Sequence, residues 1–500
     1  MLAWTIYISF VGAAALALMP KASARTARVI ALMAAISGFA IALVGAWRGA
    51  PGEMVTVTRV AWIPSLGIEY HIAADGISLT LLLLTGIVAV AGILFSWNVE
   101  NRPAEFFALF LALIGAVYGV FLSFDLLLFF VFYELAIIPK YFLIAIWGST
   151  RREYAAMKLA LYSFAGSGMV LIGIIAAFVE SGAKTMNLAD LARFPFPLHF
   201  QMWVFPLVFV GFAILAGLWP FHTWAPTGHA AAPTAASMLL AGVVMKLGAY
   251  GCLRAAMMLF PRGMEQWGFH VLGFGSWRDV FAVLALIGIV YGASVALVQK
   301  DFKFVIGYSS VSHMGFVLLG LMTLSQIGLS GAVVQMFSHG IIAGLLFAIV
   351  GRMVYDRTHT RMLSELGPMH LSRAIPFAAF TFVIAGMASI GMPGFSGFVA
   401  ELEILIGTWR AYPVLAVLAG VGILVGIAFI WRAMDKAFLG GSASGAAAAL
   451  PPISVAERIG AAILIAATVA AGLYPRLLLD LVLPALNSPL FDGLRKGMWR

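Results

Sequence analysis

The sequence predicts an all-α polytopic membrane protein, and three observations carry that expectation. Of 500 residues 63% are hydrophobic and only 10% charged, with a mean hydropathy of +1.03, whereas an ordinary soluble domain is about 45–50% apolar and about 25% charged. Apolar stretches of about 20 residues recur along nearly the whole chain, each long enough to cross about 30 Å of hydrocarbon as a helix. The sizeable polar connections fall only near residues 47–76, 180–202, 260–278 and 355–373, so no soluble catalytic domain fits between spans. Any function must reside within the membrane region.

Hydropathy places spans near residues 2–19, 27–46, 77–97, 105–123, 124–147, 154–179, 203–231, 235–259, 279–299, 304–322, 330–354, 374–408, 414–437 and 456–480, about fourteen transmembrane helices. The first has no basic residue before it, while Lys21, Arg25 and Arg28 follow it. That is the reverse of a secretory signal's charge order, so it reads as a retained span. The third opens after Asp75 in "AADGIS", which reads as an N-cap. The fifth contains "FFVFYELAIIPKYFLIAIWG", with Glu134, Pro139 and Lys140 in its middle, and the eighth holds Lys246 in "GVVMKLGAYG". The tenth carries His313 in "SSVSHMGF" and the eleventh His339 in "MFSHGIIAG".

Two spans read as broken. "GLWPFHTWAP" puts two prolines and two histidines into the seventh, counting His229 just beyond it, and "GMPGFSGF" puts a proline and three glycines into the twelfth. Proline removes an amide donor and clashes with the preceding turn, and such breaks at membrane depth survive only where protein or water covers the freed backbone. Breaks in matching positions of two halves are what inverted-repeat transport folds contain. The spacing suggests two inverted five-helix repeats, spans 4–8 and 9–13. The domains are then residues 1–104 (helices 1–3), 105–259 (first repeat), 279–437 (second repeat) and 456–500 (last helix and C-terminal tail).

Charge gives orientation. Loops after odd-numbered spans hold about sixteen Lys and Arg residues, Arg151, Arg152, Lys158, Lys300 and Arg361 among them, against about eight after even ones. Odd loops read as cytoplasmic and both termini as outward, with Arg495, Lys496 and Arg500 of the tail running against the bias. A net charge of +9 would suit nucleic acid, but the basic residues sit singly in short loops, so they read as topology signals and no nucleic-acid partner is expected. The single cysteine, Cys252, excludes an internal disulfide, a multi-cysteine zinc site and an iron–sulfur cluster held by cysteines of this chain alone.

A Lys, Arg or Asp at a helix centre costs about 2.5–3.5 kcal/mol on insertion scales, so each is a functional hypothesis. Glu134, Lys140, Lys246 and Glu401, the last in "GFVAELEIL", are the buried charges; His313 and His339 add groups that titrate near physiological pH. Desolvation and an opposite charge push a buried group's proton affinity in opposite directions, so a moving neighbour can load or unload it. That is the requirement for a proton relay. Plainer readings stand beside it. Glu134 and Lys246 could be a structural ion pair, His313 and His339 packed interhelical hydrogen bonds, and His222 and His229 ties for carbonyls freed at the break. Glu403 could be a relay exit or a solvated rim.

At these residues the sequence resembles the antiporter-like membrane subunits of respiratory complex I (NADH-quinone oxidoreductase), in particular their chain M branch. The resemblance covers almost the whole chain and rests on the span-five stretch above, "PFHTWAPTGHAAAPTAASMLLAGVVMKLGAYG", "DFKFVIGYSSVSHMGFV", "QMFSHGIIAGLLF", "RTHTR" and "GMPGFSGFVAELEIL". It implies a multi-pass proton-translocating subunit of a bacterial inner membrane, with neighbouring antiporter-like subunits on both sides. It implies no cofactor in this chain, with FMN, iron–sulfur clusters and quinone in partner subunits. Glu134, Lys246, His313, His339 and Glu401 match the family's relay positions. The family usually has a lysine in span seven, where this chain has Leu215, and an apolar residue after the span-five proline, where this chain has Lys140. The resemblance thus suggests that the ammonium has moved to Lys140. Six residues are about 9 Å of rise and about 240° of rotation from Glu134, so the pair needs the proline kink to meet, and the alternative is that Lys140 snorkels to the interface. A stand-alone or Mrp-like cation/proton antiporter is the other functional reading.

Overall fold

Hydrocarbon offers a polypeptide no hydrogen-bond partners, so a spanning chain must satisfy its own amides, and helices follow. The computed structural model describes residues 1–21, 23–49, 52–265, 274–440 and 449–498. The helices are α1 (Trp4–Ala17), α2 (Ala24–Arg48), α3 (Gly76–Phe95), α4 (Pro103–Leu122), α5 (Leu126–Trp147), α6 (Arg152–Glu180), α7 (Leu198–Ala231), α8 (Thr234–Met257), α9 (Trp277–Val298), α10 (Phe302–Met322), α11 (Gln326–Thr358), α12 (Pro376–Ser389 and Ser396–Ala411), α13 (Pro413–Leu439), α14 (Val455–Leu473) and α15 (Arg476–Leu486). Twelve of the described helices are long and apolar enough to cross a membrane, or up to 13 if bent pairs count as one. The other two expected spans are the shorter α1 and the broken α12, so each expected segment is helical.

The breaks lie where the prolines and glycines put them. In α7 the helix stops at Gly217, left-handed at φ 88°, and resumes at Trp224. The Trp224 indole N–H donates to the Ile214 carbonyl at 2.8 Å, covering backbone that the break exposes. In α12 the interruption spans Ile390 to Phe395, with Gly391 at φ 69° and Gly394 at φ 97°.

Two boundaries differ from expectation. The helix expected over 456–480 ends at Leu473, because Pro475 holds Tyr474 in an extended conformation (φ −130°, ψ 74°). The 47–76 connection contains an antiparallel hairpin, β1 (Val55–Ile63) and β2 (Ile68–Ala74), registered from Val55 opposite Ala74 to Ile63 opposite Ile68. Its turn, "PSLG", closes on Gly67 at φ 60°. Residues 266–273 of the 260–278 connection, and Arg500 of the tail, lie outside the described residues.

Burial is unequal. α8 and α11 are enclosed by protein along their apolar windows, whereas α13 and α14 show most of their surface outward. The two enclosed helices are those that carry Lys246 and His339. Charged clamps brace the ends. Asp75 caps α3 by accepting from the Ser78 amide at 3.0 Å and also pairs with buried Arg254 of α8. At the other end Glu457 of α14 receives Arg352 and Arg357 at 2.5 and 2.7 Å, and Asp301 receives Arg361 at 3.1 Å.

Candidate functional site

α8 and α11 cross at glycines. A Cβ at Gly340 would stand 2.5 Å from the Gly242 carbonyl oxygen, and one at Gly242 would stand 3.0 Å from that of Gly340. No side chain fits there, and the backbones meet. One turn beyond Gly242 stands Lys246, and next to Gly340 stands His339, so the crossing brings the two together. The Lys246 ammonium lies 2.9 Å from His339 Nδ1 and 2.5 Å from the Ala241 carbonyl oxygen. A π-helical turn over Leu240–Val244 reshapes α8 just before Lys246, a distortion frequent at functional sites. An ammonium can only donate, so when Lys246 is charged His339 accepts at Nδ1 and keeps its proton on Nε2; a neutral amine allows the reverse.

The next members follow by contact. The His339 and His313 rings stack with centroids 5.3 Å apart and planes 11° from parallel. His313 Nδ1 lies 2.8 Å from the Ser309 carbonyl and Nε2 lies 3.0 Å from the Ser389 carbonyl, at the edge of the α12 break. Carbonyl oxygens only accept, so each nitrogen has a place to donate, and the ring can hold a proton on either or both. Glu401 Oε1 is 3.6 Å from His313 Nε2. The carboxylate fits because Gly391 lacks a side chain: a Cβ there would stand 2.7 Å from Glu401 Oε2. Lys246, His339, His313 and Glu401 therefore form one series of neighbours across α8, α11, α10 and α12. All four are buried, Lys246 completely. The spatial order puts His339 before His313, opposite to their order in the chain.

Glu134 and Lys140 stand apart from that series. Both lie on α5, whose helical hydrogen bonding is interrupted at Ala136, just ahead of Pro139. Glu134 is half-buried, with Ser167 of α6 beside it and Oε1 without a hydrogen-bond partner. Lys140 is 1% exposed, and among the described residues its Nζ also has no hydrogen-bond partner. Among the described residues no ion pair within 4.0 Å joins Glu134 to Lys140 or to Lys246. Lys140 does not snorkel to the surface of this chain either; its ammonium stays inside the protein, beyond 4.0 Å of the Glu134 carboxylate.

Of the two histidines of the α7 break, His229 departs from the carbonyl-tying role expected of it. Among the described residues neither ring nitrogen of His229 has a hydrogen-bond partner, whereas the His222 ring stays next to the Pro220 backbone at the break. The Trp224 indole and the Ser237 hydroxyl, which donates to the His229 carbonyl at 2.8 Å, cover freed backbone instead. His229 is fully buried and close enough to Lys246 and His339 to interact with their charge. Its enclosure and lack of partners are not visible in sequence spacing. Glu403 accepts from the Ser330 hydroxyl at 2.8 Å and is half-buried, on a different face from Glu401. Among the described residues no group of three or more His, Cys, Asp and Glu side chains converges as a metal ion would need.

Against this geometry, residues 123–426 match a family described as NADH:quinone oxidoreductase/Mrp antiporter, transmembrane. The chain is 36% identical over 499 residues to NADH-quinone oxidoreductase subunit M of Rhodobacter capsulatus, covering 96% of this chain and 94% of that protein. Its fold superposes on a chain of respiratory complex I from Thermus thermophilus with a TM-score of 0.88 at 28% identity, covering 99% of both chains. A chain of the Mrp complex from Dietzia sp. shares the fold at a TM-score of 0.83 and 22% identity, covering 98% of both.

Proposed function

The chain belongs to the NADH:quinone oxidoreductase/Mrp antiporter transmembrane family, and from that membership we propose how its own residues move protons. It is a complex I-type antiporter-like proton-translocating subunit. The proposed path runs from Lys246 to His339, then His313, then Glu401. The observation that carries it is the unbroken series of buried neighbours over four helices, with 2.9 Å and 3.6 Å contacts at its two ends.

Each handover has a physical requirement. Lys246 passes a proton along its existing hydrogen bond to His339 Nδ1. The stacked rings present faces and not nitrogens, so the His339 to His313 step needs a ring rotation or a bridging water. From His313 Nε2 the proton reaches the Glu401 carboxylate. No static series can pump; the two states of the cycle must differ in their interactions with the proton. Glu134 and Lys140 supply that difference: quinone reduction in partner subunits alters their separation, and the change in field reaches Lys246. The flavin, iron–sulfur clusters and quinone site belong to those partners, the adjoining membrane subunits are antiporter-like on both sides, and the membrane is a bacterial inner membrane.

The test is purification of the chain from native membranes with whatever it holds. Flavin and iron–sulfur absorbance with NADH-driven quinone reduction supports the reading. An isolated chain that produces a sodium-dependent pH change in vesicles, with no redox partner, overturns it in favour of an Mrp-like cation/proton antiporter.

A further inference from the structure

At the end of the molecule that carries the basic loops, a cavity of about 390 Å³ opens between α6, α7 and α10, lined by Thr150, Arg151, Tyr154, Thr227, Phe304 and Arg361 among others. Arg361 is already committed: it pairs with Asp301 at 3.1 Å and donates to the Ala230 carbonyl at 2.7 Å. Two other cations are not. Exposed Arg151 has no carboxylate within 4.0 Å among the described residues. Lys158 borders the cavity through the Thr227 hydroxyl at 3.5 Å and the Tyr154 ring face at 6.0 Å, again with no acidic partner. The carboxylate next in sequence, Glu153, is exposed and, among the described residues, in no ion pair.

From this basic end an apolar stripe descends along α6. Tyr154, Met157, Leu161 and Phe164 recur at helical spacing, each 49–60% exposed. Ten residues of helix are about 15 Å, half of a hydrocarbon core about 30 Å thick. The stripe therefore has the depth of one leaflet, with Arg151 beyond its basic end and Lys158 one turn below Tyr154, its ammonium against the Tyr154 ring and the Thr227 hydroxyl.

We propose that this cavity binds the phosphodiester headgroup of an anionic phospholipid, with the acyl chains lying on the α6 stripe. Arg151 and Lys158 contact the phosphate oxygens, and the Thr150 and Thr227 hydroxyls donate to them. Charge complementarity selects the occupant. A headgroup with net negative charge neutralises two cations that the protein leaves unpaired, whereas the ammonium of a zwitterionic headgroup is repelled by them. Neither cation belongs to the proposed proton path, so lipid binding and pumping are separable.

The test is native mass spectrometry of the full chain in detergent, titrated with dioleoyl phosphatidylglycerol or dioleoyl phosphatidylcholine. The parent should retain the first and not the second. Arg151→Ala and Lys158→Ala should each weaken phosphatidylglycerol retention about fivefold, and the double variant about thirtyfold. Arg151→Lys with Lys158→Arg should keep it, which separates charge from folding should the alanine variants fail to fold. Equal retention of both lipids by the parent, or parental retention by the folded double variant, overturns the proposal. So does displacement of the lipid by inorganic phosphate at equal concentration, which would mark a plain phosphate site.

Discussion

Lys140→Met separates a working buried charge from a structural one, because it moves stability and activity in opposite directions. Lys140 is 1% exposed and its ammonium has no hydrogen-bond partner among the described residues, so the fold carries most of the roughly 2.5–3.5 kcal/mol cost of a central lysine. Methionine has similar length and no charge. After allowance for lost attraction to Glu134, the variant should be more stable by about 2 kcal/mol, on the order of a thirtyfold shift toward the folded form. Proton pumping should fall at least tenfold if the ammonium helps to set the field at Lys246. Adding Leu215→Lys restores an ammonium at a position that is 2% exposed; it should recover pumping and return the stability gained. Unfolding in mixed micelles, followed by helicity, gives the first quantity, and acidification by membrane vesicles during quinone reduction gives the second. A destabilised Lys140→Met variant, or one that pumps like the parent, refutes the reasoning.

Three further outcomes follow from the geometry. His339→Phe keeps an aromatic ring against His313 but leaves the buried Lys246 ammonium without its 2.9 Å acceptor; it should cost about 1–3 kcal/mol of stability and abolish pumping, both measurable on the assembled membrane fraction. Gly340→Val forces a side chain to within 2.5 Å of a backbone oxygen, so the helices must part; about 1–3 kcal/mol of stability should be lost, and pumping with it, while the same change at open Gly420 should leave both unaltered. In the hairpin outside the membrane, His71 is buried, which holds its imidazole below the usual range, and its nitrogens lie 3.0 Å from the Thr56 hydroxyl and 2.8 Å from the Asn187 amide. A group with lowered folded affinity for protons contributes stability above its unfolded pKa of about 6.5 and loses it as pH falls below that value. Hydrogen-exchange protection across residues 55–74, with the intrinsic pH dependence of exchange divided out, should therefore fall below about pH 6.5 in the parent; protection that stays constant, or that falls equally in His71→Gln, contradicts this.

Much of the architecture was legible because the bilayer imposes a coarse rule, and the rule acts on composition. Fourteen apolar stretches became helices, and the prolines and glycines of "GLWPFHTWAP" and "GMPGFSGF" broke α7 and α12 where they stood. Tertiary order was less legible. Nothing in the spacing of Lys246, His313 and His339 says that His339 lies between the other two; that order comes from the Gly242–Gly340 crossing. By composition the hairpin segment reads as a polar connection, although "VTVTRV" alternates as a strand does. The local sequence shows Asp75 as a cap, and its second role, holding Arg254 from 179 residues away, has no local signal. The separation of Glu134 from Lys140 depends on where the interruption at Ala136 leaves the two side chains, which sequence does not set.

The central claim is that Lys246 starts the buried proton series, and the most direct measurement is the number of protons translocated per electron by membranes carrying Lys246→Ala. The account predicts an assembled complex whose coupled proton translocation falls at least tenfold. Parental translocation in an assembled Lys246→Ala complex would contradict it.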